Sequence, residues 1–232
     1  MEVVKPVKRN ILLNPGPATT TDTVKYAQVV PDICPRENEF VDIMDEVRGE
    51  LVRVVHGDPQ KYTAVLFTGS GTIIQDVLVN SLVPEGKKIC VVNNGAYSGR
   101  MTEIAKYYHI PCVNLESSTT GLPDLNILKE TLEKDGDIAA VATTHHETGT
   151  GVLNPVREIG RIAHDNDCIF IADTISTYGL LPIDIEADNI DFCMSSAQKG
   201  LCGMTGVSWT VGNIEEIVKS KAYPTRSYYC NL

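Results

Sequence analysis

The chain has 232 residues, 43% of them apolar and 22% charged, which is enough to bury one large core and sits at the upper end of single-domain size. Asp and Glu number 30 against 20 Lys and Arg, so the formal charge of −10 repels polyanions and argues against nucleic acid as a partner. The seven cysteines are scattered without a C-x-x-C pair, the N-terminus lacks an apolar signal core, and no run reaches the roughly 18 apolar residues of a membrane span, so a soluble cytoplasmic protein is expected.

A short arm, residues 1–22, carries NPGPATTT from Asn14 to Thr21, and Pro15 and Pro17 keep it extended or turned. Residues 23–232 read as one unit. Phe40, Ile43, Met44, Val47, Leu51, Val54 and Val55 recur with helical spacing and predict one apolar face. Seven short runs rich in β-branched residues then predict strands: 64–67, 88–92, 111–115, 139–143, 168–172, 192–195 and 207–211. Between them, Leu125, Leu128 and Leu132 mark one helix and Val156, Ile159, Ile162 and Ala163 another, the second with Asn154 at a cap position and Pro155 in its first turn. Strands that are apolar on both faces and alternate with helices imply an α/β fold with a mainly parallel, seven-stranded sheet between helices. Ligands of such sheets bind beyond the carboxyl ends of the strands.

The turns after the strands therefore hold the candidate chemistry. Ser70, Gly71 and Thr72 open a helix after the first strand, as a cup for one phosphate or as a plain tight turn. Tyr97, after the second strand, either covers a flat ring or packs at a helix start. His145, His146 and Glu147 raise the question of a metal, but neighbours on a strand point to opposite faces and no further ligand pair accompanies them, so no metal site is expected. A hydrogen-bonding role for Thr148, or a structural turn, fits that segment better. Asp173 ends the fifth strand as a partly desolvated carboxylate that needs a cationic or proton-donating partner, or else as a helix cap. Gln198 and Lys199 follow the sixth, and Lys199 is placed for imine chemistry unless it is merely solvated. One cofactor, pyridoxal 5′-phosphate (PLP), requires a lysine, an acid, a ring cover and a phosphate cup together.

The segments LLNPGPATT (12–20), TGSGT (68–72), NNGAYSGR (93–100), THHETGTGVLNP (144–155), ADTISTYG (172–179) and SSAQKGL (195–201) resemble the class V aminotransferases, in that family's order and over nearly the whole chain. The resemblance implies the large domain of the aspartate-aminotransferase-like fold, PLP fold type I, and a catalytic pair in Lys199 and Asp173. It implies that Lys199 carries PLP, that Asp173 faces the ring nitrogen and that Gln198 with Ser70, Gly71 and Thr72 approaches the phosphate. Tyr97 would stack on the ring, and Thr148 would lie near its oxygen. DICPRENEF (32–40) is most similar to the branch that uses 2-aminoethylphosphonate as amine donor and pyruvate as acceptor. An alanine–glyoxylate or serine–pyruvate aminotransferase, or a non-catalytic fragment of the fold, is the alternative. Family members are homodimers of well over 300 residues, so the large domain is expected to be truncated, without the C-terminal small domain and its carboxylate-binding arginine.

Overall fold

A computed structural model describes residues 8–232; the first seven residues of the arm lie outside the described part. In chain order the elements are α1 (Asp22–Tyr26), α2 (Asn38–Val54), β1 (Tyr62–Thr68), α3 (Gly71–Ser81), β2 (Lys88–Asn93), α4 (Ala96–Tyr107), β3 (Cys112–Glu116), α5 (Leu125–Lys134) and β4 (Ile138–Thr144). They continue with β5 (His146–Glu147), β6 (Val152–Leu153), α6 (Val156–His164), β7 (Ile169–Asp173), β8 (Phe192–Ser196), β9 (Val207–Asn213) and α7 (Ile214–Ser220). All seven strands expected from the apolar runs form, and they join one sheet in the order β1-β9-β8-β7-β4-β2-β3. Only β9 runs antiparallel to its neighbours β1 and β8.

Period-2 alternation divides the core between the two faces of the sheet. Cys90, Val92, Val141, Phe170, Ala172 and Cys193 pack under α5 and α6 with Leu128, Leu132, Val156 and Ile159. Ile89, Val91, Ala140, Ala142, Ile171 and Met194 face the other way, under α3 and α4, and meet Ile74, Val77, Leu78, Met101 and Ile104. Strands sandwiched in this way must be apolar on both faces, which is why the sequence shows unbroken runs rather than alternation.

Two details differ from the sequence reading. The expected face of α2 is not a core face along its length: Leu51, Val52 and Val55 are buried, whereas Ile43, Val47 and Val54 remain exposed. The helix reaches the sheet only at its C-terminal end, beside the edge strand β1, where Arg48 donates to Ala64 O (3.0 Å) and Thr63 Oγ1 (2.8 Å). Asn154 is not a cap, because Pro155 takes that position in α6. Its buried amide instead donates to Thr144 O (2.8 Å) and pairs reciprocally with the amide of Asn94, tying the end of β4 to the start of α4.

Candidate active site

Parallel strands deliver their carboxyl ends to one edge, and register decides which residues meet there. Asp173, the last residue of β7, pairs with Thr144 of β4 on one side and Met194 of β8 on the other. Its carboxylate is buried; Oδ1 accepts from Ile175 N–H (2.9 Å) and Oδ2 from Gln75 Nε2 (2.6 Å). Burial pushes its pKa from the ordinary 3.8 to about 6, and Glu147 pushes the same way. The two hydrogen bonds and the more distant Arg100 restrain the shift. No salt bridge to Asp173 forms among the described residues.

Beside it, His145 and His146 go to different partners. His145 Nδ1 lies 3.0 Å from Thr177 Oγ1, and His146 Nδ1 lies 3.1 Å from Ser176 Oγ. Burial lowers the pKa of His145 and favours the neutral ring. Among the described residues no three His, Cys, Asp or Glu side chains are grouped to hold a metal.

Ser70 is the N-cap of α3 but makes no side-chain cap bond; Ile73 N–H returns to Ser70 O (2.9 Å), and the N–H groups of Gly71 and Thr72 make no bond among the described residues. Glycine is favoured at 69, where φ is +158°, and at 71 a β-carbon would fall 2.7 Å from the tip of the Ile175 side chain, Cδ1, which would have to turn aside. Near this turn Ser196 Oγ is buried without a hydrogen-bond partner, as are Ser195 Oγ and Gln198 Oε1. The unpaired Ser196 hydroxyl, which can donate, beside a helix N-terminus makes a site able to take an anion.

Tyr97 stands in the first turn of α4, and its placement depends on Glu147. The buried Glu147 carboxylate accepts from Tyr97 N–H (3.2 Å), Ser98 N–H (3.2 Å) and Ser98 Oγ (3.2 Å), so a negative charge holds the helix N-terminus. A β-carbon at Gly95 would overlap Glu147 Cγ. Arg100 rests over the Tyr97 ring at 4.9 Å and donates to Thr72 Oγ1 (3.2 Å), joining the aromatic ring to the helix turn of α3.

Lys199 follows β8, and the N-terminal arm lies against it. Ala18 N–H donates to Gln198 O (2.8 Å), and a β-carbon at Gly16 would fall 2.8 Å from Lys199 Nζ. Among the described residues, Lys199 Nζ makes no hydrogen bond or ion pair. Thr148 sits half-buried in the turn between β5 and β6, a hairpin the sequence did not announce, and no bond to its hydroxyl forms among the described residues.

Gln75, Glu147 as an anchor of α4, and Arg100 were missed by the sequence reading. A polar residue set among Ile73, Ile74, Val77 and Leu78 is the signal that Gln75 offered. Together the side chains present an amine, a buried carboxylate with neutral donors, an aromatic ring and an anion cup, which suits a flat, phosphorylated heteroaromatic ligand with a basic ring nitrogen.

The family described as Aminotransferase class-V matches residues 21–223. The chain is 37% identical over 211 residues to a bifunctional phosphonoacetaldehyde hydrolase/aminoethylphosphonate transaminase of Clostridioides difficile, a match covering 91% of this chain and 33% of that one. It is 35% identical over 210 residues to a 2-aminoethylphosphonate–pyruvate transaminase of Lysinibacillus sphaericus, covering 90% and 57% respectively. Among solved structures, an alanine–glyoxylate aminotransferase of Nostoc sp. superposes with a TM-score of 0.88 at 25% identity, covering 99% of this chain and 60% of that one. The chain thus spans little more than half the length of such transaminase relatives, and a third of the bifunctional one.

Proposed function

The chain belongs to the class V aminotransferase family, and from that premise we propose that it forms the PLP-binding part of a transaminase that moves the amino group of 2-aminoethylphosphonate to pyruvate, giving phosphonoacetaldehyde and alanine. The observation that carries the PLP reading is Asp173, a buried carboxylate held by two neutral donors and without an ion-pair partner among the described residues. Such a group is costly unless a cation meets it, and the residues around it fit PLP. Relatives at 35–37% identity whose names carry aminoethylphosphonate transaminase activity support the substrate assignment.

When bound, PLP supplies an electron sink for the bond broken at the amine-bearing carbon. The chain's own residues do the rest. Asp173 holds the proton at the ring nitrogen. The N–H groups of Ser70, Gly71 and Thr72, with Ser196 and Gln198 beside them, hold the phosphate. Tyr97 covers the ring, and Thr148 donates to its oxygen. Lys199 would anchor the cofactor through its amine, and the same amine, when free, would be the base that takes the proton from the amine-bearing carbon. Residues 23–232 are the cofactor-binding unit, the arm closes on the lysine side, and a cytoplasmic homodimer completes the reading.

Two measurements test it. Visible absorption after addition of PLP, followed by borohydride and mass analysis, is expected to place the label on Lys199; a colourless chain that takes up no PLP refutes the cofactor assignment. Alanine formation from pyruvate across a panel of amines is expected to favour 2-aminoethylphosphonate. Transfer from alanine to glyoxylate, with no use of the phosphonate, would favour the reading suggested by the Nostoc structure instead.

A further inference from the structure

We propose that Gln75 is a positioning residue of this site: its amide group locks the Asp173 carboxylate and the first turn of α4 in one arrangement, so that a cationic ring nitrogen meets a fixed, ionised oxygen. The inference rests on the reading of Asp173 given above. Gln75 is the fifth residue of α3 and fully buried, in a helix whose neighbours Ile74, Val77 and Leu78 are core. Its Nε2 donates to Asp173 Oδ2 at 2.6 Å and to Tyr97 O at 3.3 Å. Both groups facing Nε2 are acceptors, which fixes the amide's orientation, because a flipped amide would set Oε1 against two oxygens.

The other half of the amide, Oε1, is buried with no partner. An orphan carbonyl destabilises the fold, and an apolar side chain of equal length would fill the space without it. What remains to explain the glutamine is its N–H2 group. A neutral donor is suited to the task because it orients a carboxylate without neutralising it, whereas Lys or Arg at this position would compete with the incoming cation. The charged groups acting on Asp173 are Glu147, which opposes ionisation, and Arg100, which favours it. His145 touches it through a backbone bond, His145 N–H to Asp173 O at 2.8 Å. The same helix begins with Ser70, Gly71 and Thr72, so one rigid element sets both the phosphate end and the ring-nitrogen end of the site.

Gln75→Met keeps length and removes the donor; Gln75→Glu keeps shape and replaces the donor with an acid. Titration of the ligand-free chain by 13C NMR of labelled Asp carboxyls, with the Asp173 signal identified by its loss in Asp173→Asn, reads the effect directly. In Gln75→Met the Asp173 midpoint is expected to rise by about one to two pH units, the equivalent of one hydrogen bond to a charged group. In Gln75→Glu it is expected to split into two coupled steps. The pH dependence of the visible band of bound PLP should shift in the same direction. An unmoved Asp173 midpoint in a folded Gln75→Met chain, or a single unshifted step in Gln75→Glu, overturns the proposal. If Asp173→Asn binds PLP with unchanged affinity and spectrum, the reading of Asp173 fails instead, whatever the Gln75 titration shows.

Discussion

Asp173→Asn is expected to stabilise the ligand-free chain at neutral pH while weakening its hold on PLP. The folded-state pKa of about 6 lies above the ordinary 3.8, so the folded chain binds more protons than the unfolded one between those values. The contribution of this carboxyl to stability is therefore greatest below about pH 4, falls as pH rises through the folded pKa, and is a constant penalty above it. A difference of about two units corresponds to about 3 kcal/mol at pH 7. Asn mimics the protonated acid but sets its N–H2 against one of the two donors, Gln75 Nε2 or Ile175 N–H, which takes back about 1 kcal/mol. Urea unfolding of both chains at pH 4 and pH 7 is the assay, since the difference between variants removes the titration of every other group. The variant should be more stable at pH 7 by about 2 kcal/mol, with all of that gain gone at pH 4. A stability difference that is the same at both pH values would show that the carboxylate is not desolvated as its burial implies. In the assembled enzyme the same substitution should lower transamination by on the order of 10²-fold.

Lys199→Ala removes the amine proposed both to anchor PLP and to move the proton, and should lower transamination by several orders of magnitude while leaving the urea midpoint close to that of the parent. Near-normal turnover, or borohydride labelling that persists in the variant, would assign the lysine's role elsewhere. Glu147→Gln sets an amide against the N–H groups of Tyr97 and Ser98 and should cost about 1–3 kcal/mol of stability. An unchanged urea midpoint would mean that the start of α4 does not depend on that charge.

The seven strands were legible because a sheet covered on both faces requires unbroken apolar runs, and no other pattern in this chain competes with them. The ends of those runs then located Asp173 and Lys199 without any knowledge of pairing. Register was not legible: that Asp173 lies between Thr144 and Met194 depends on strand order, which places β4 and β8 beside β7 although neither adjoins it in a simple hairpin. Long-range partners were hidden for the same reason. Gln75 and Asp173 are 98 residues apart, and periodicity within α3 says which face is buried, not what it faces. The α2 face misled because apolar spacing alone does not say how far a helix overlaps the sheet; here Ile43 and Val47 stay exposed while Leu51, Val52 and Val55 are buried. Asn154 looked like a cap because it precedes Pro155, yet its amide is used to join β4 to α4.

The placement of unsatisfied polar groups ties these observations together. Of the buried side-chain polar atoms without a partner, Gln75 Oε1, Ser195 Oγ, Ser196 Oγ and Gln198 Oε1 belong to α3 and to the end of β8, the two elements that flank Asp173 and lead to Lys199. The others are Asp22 Oδ1 and Trp209 Nε1, whereas buried hydroxyls such as Thr143, on Val92 O, and Thr210, on Cys193 O, find partners. A fold that leaves several buried polar atoms unsatisfied near one sheet edge is less stable than it would be with apolar residues there. Mutation tends to remove such a local cost unless a ligand repays it, and the chemistry of the atoms defines that ligand. A hydroxyl such as that of Ser196 beside a helix N-terminus suits an anion, and a buried carboxylate held by neutral donors calls for a cation. Both charges on one flat molecule, on a sheet edge that also leads to Lys199, fit the phosphorylated pyridine aldehyde proposed above better than a dinucleotide, a metal ion or a peptide.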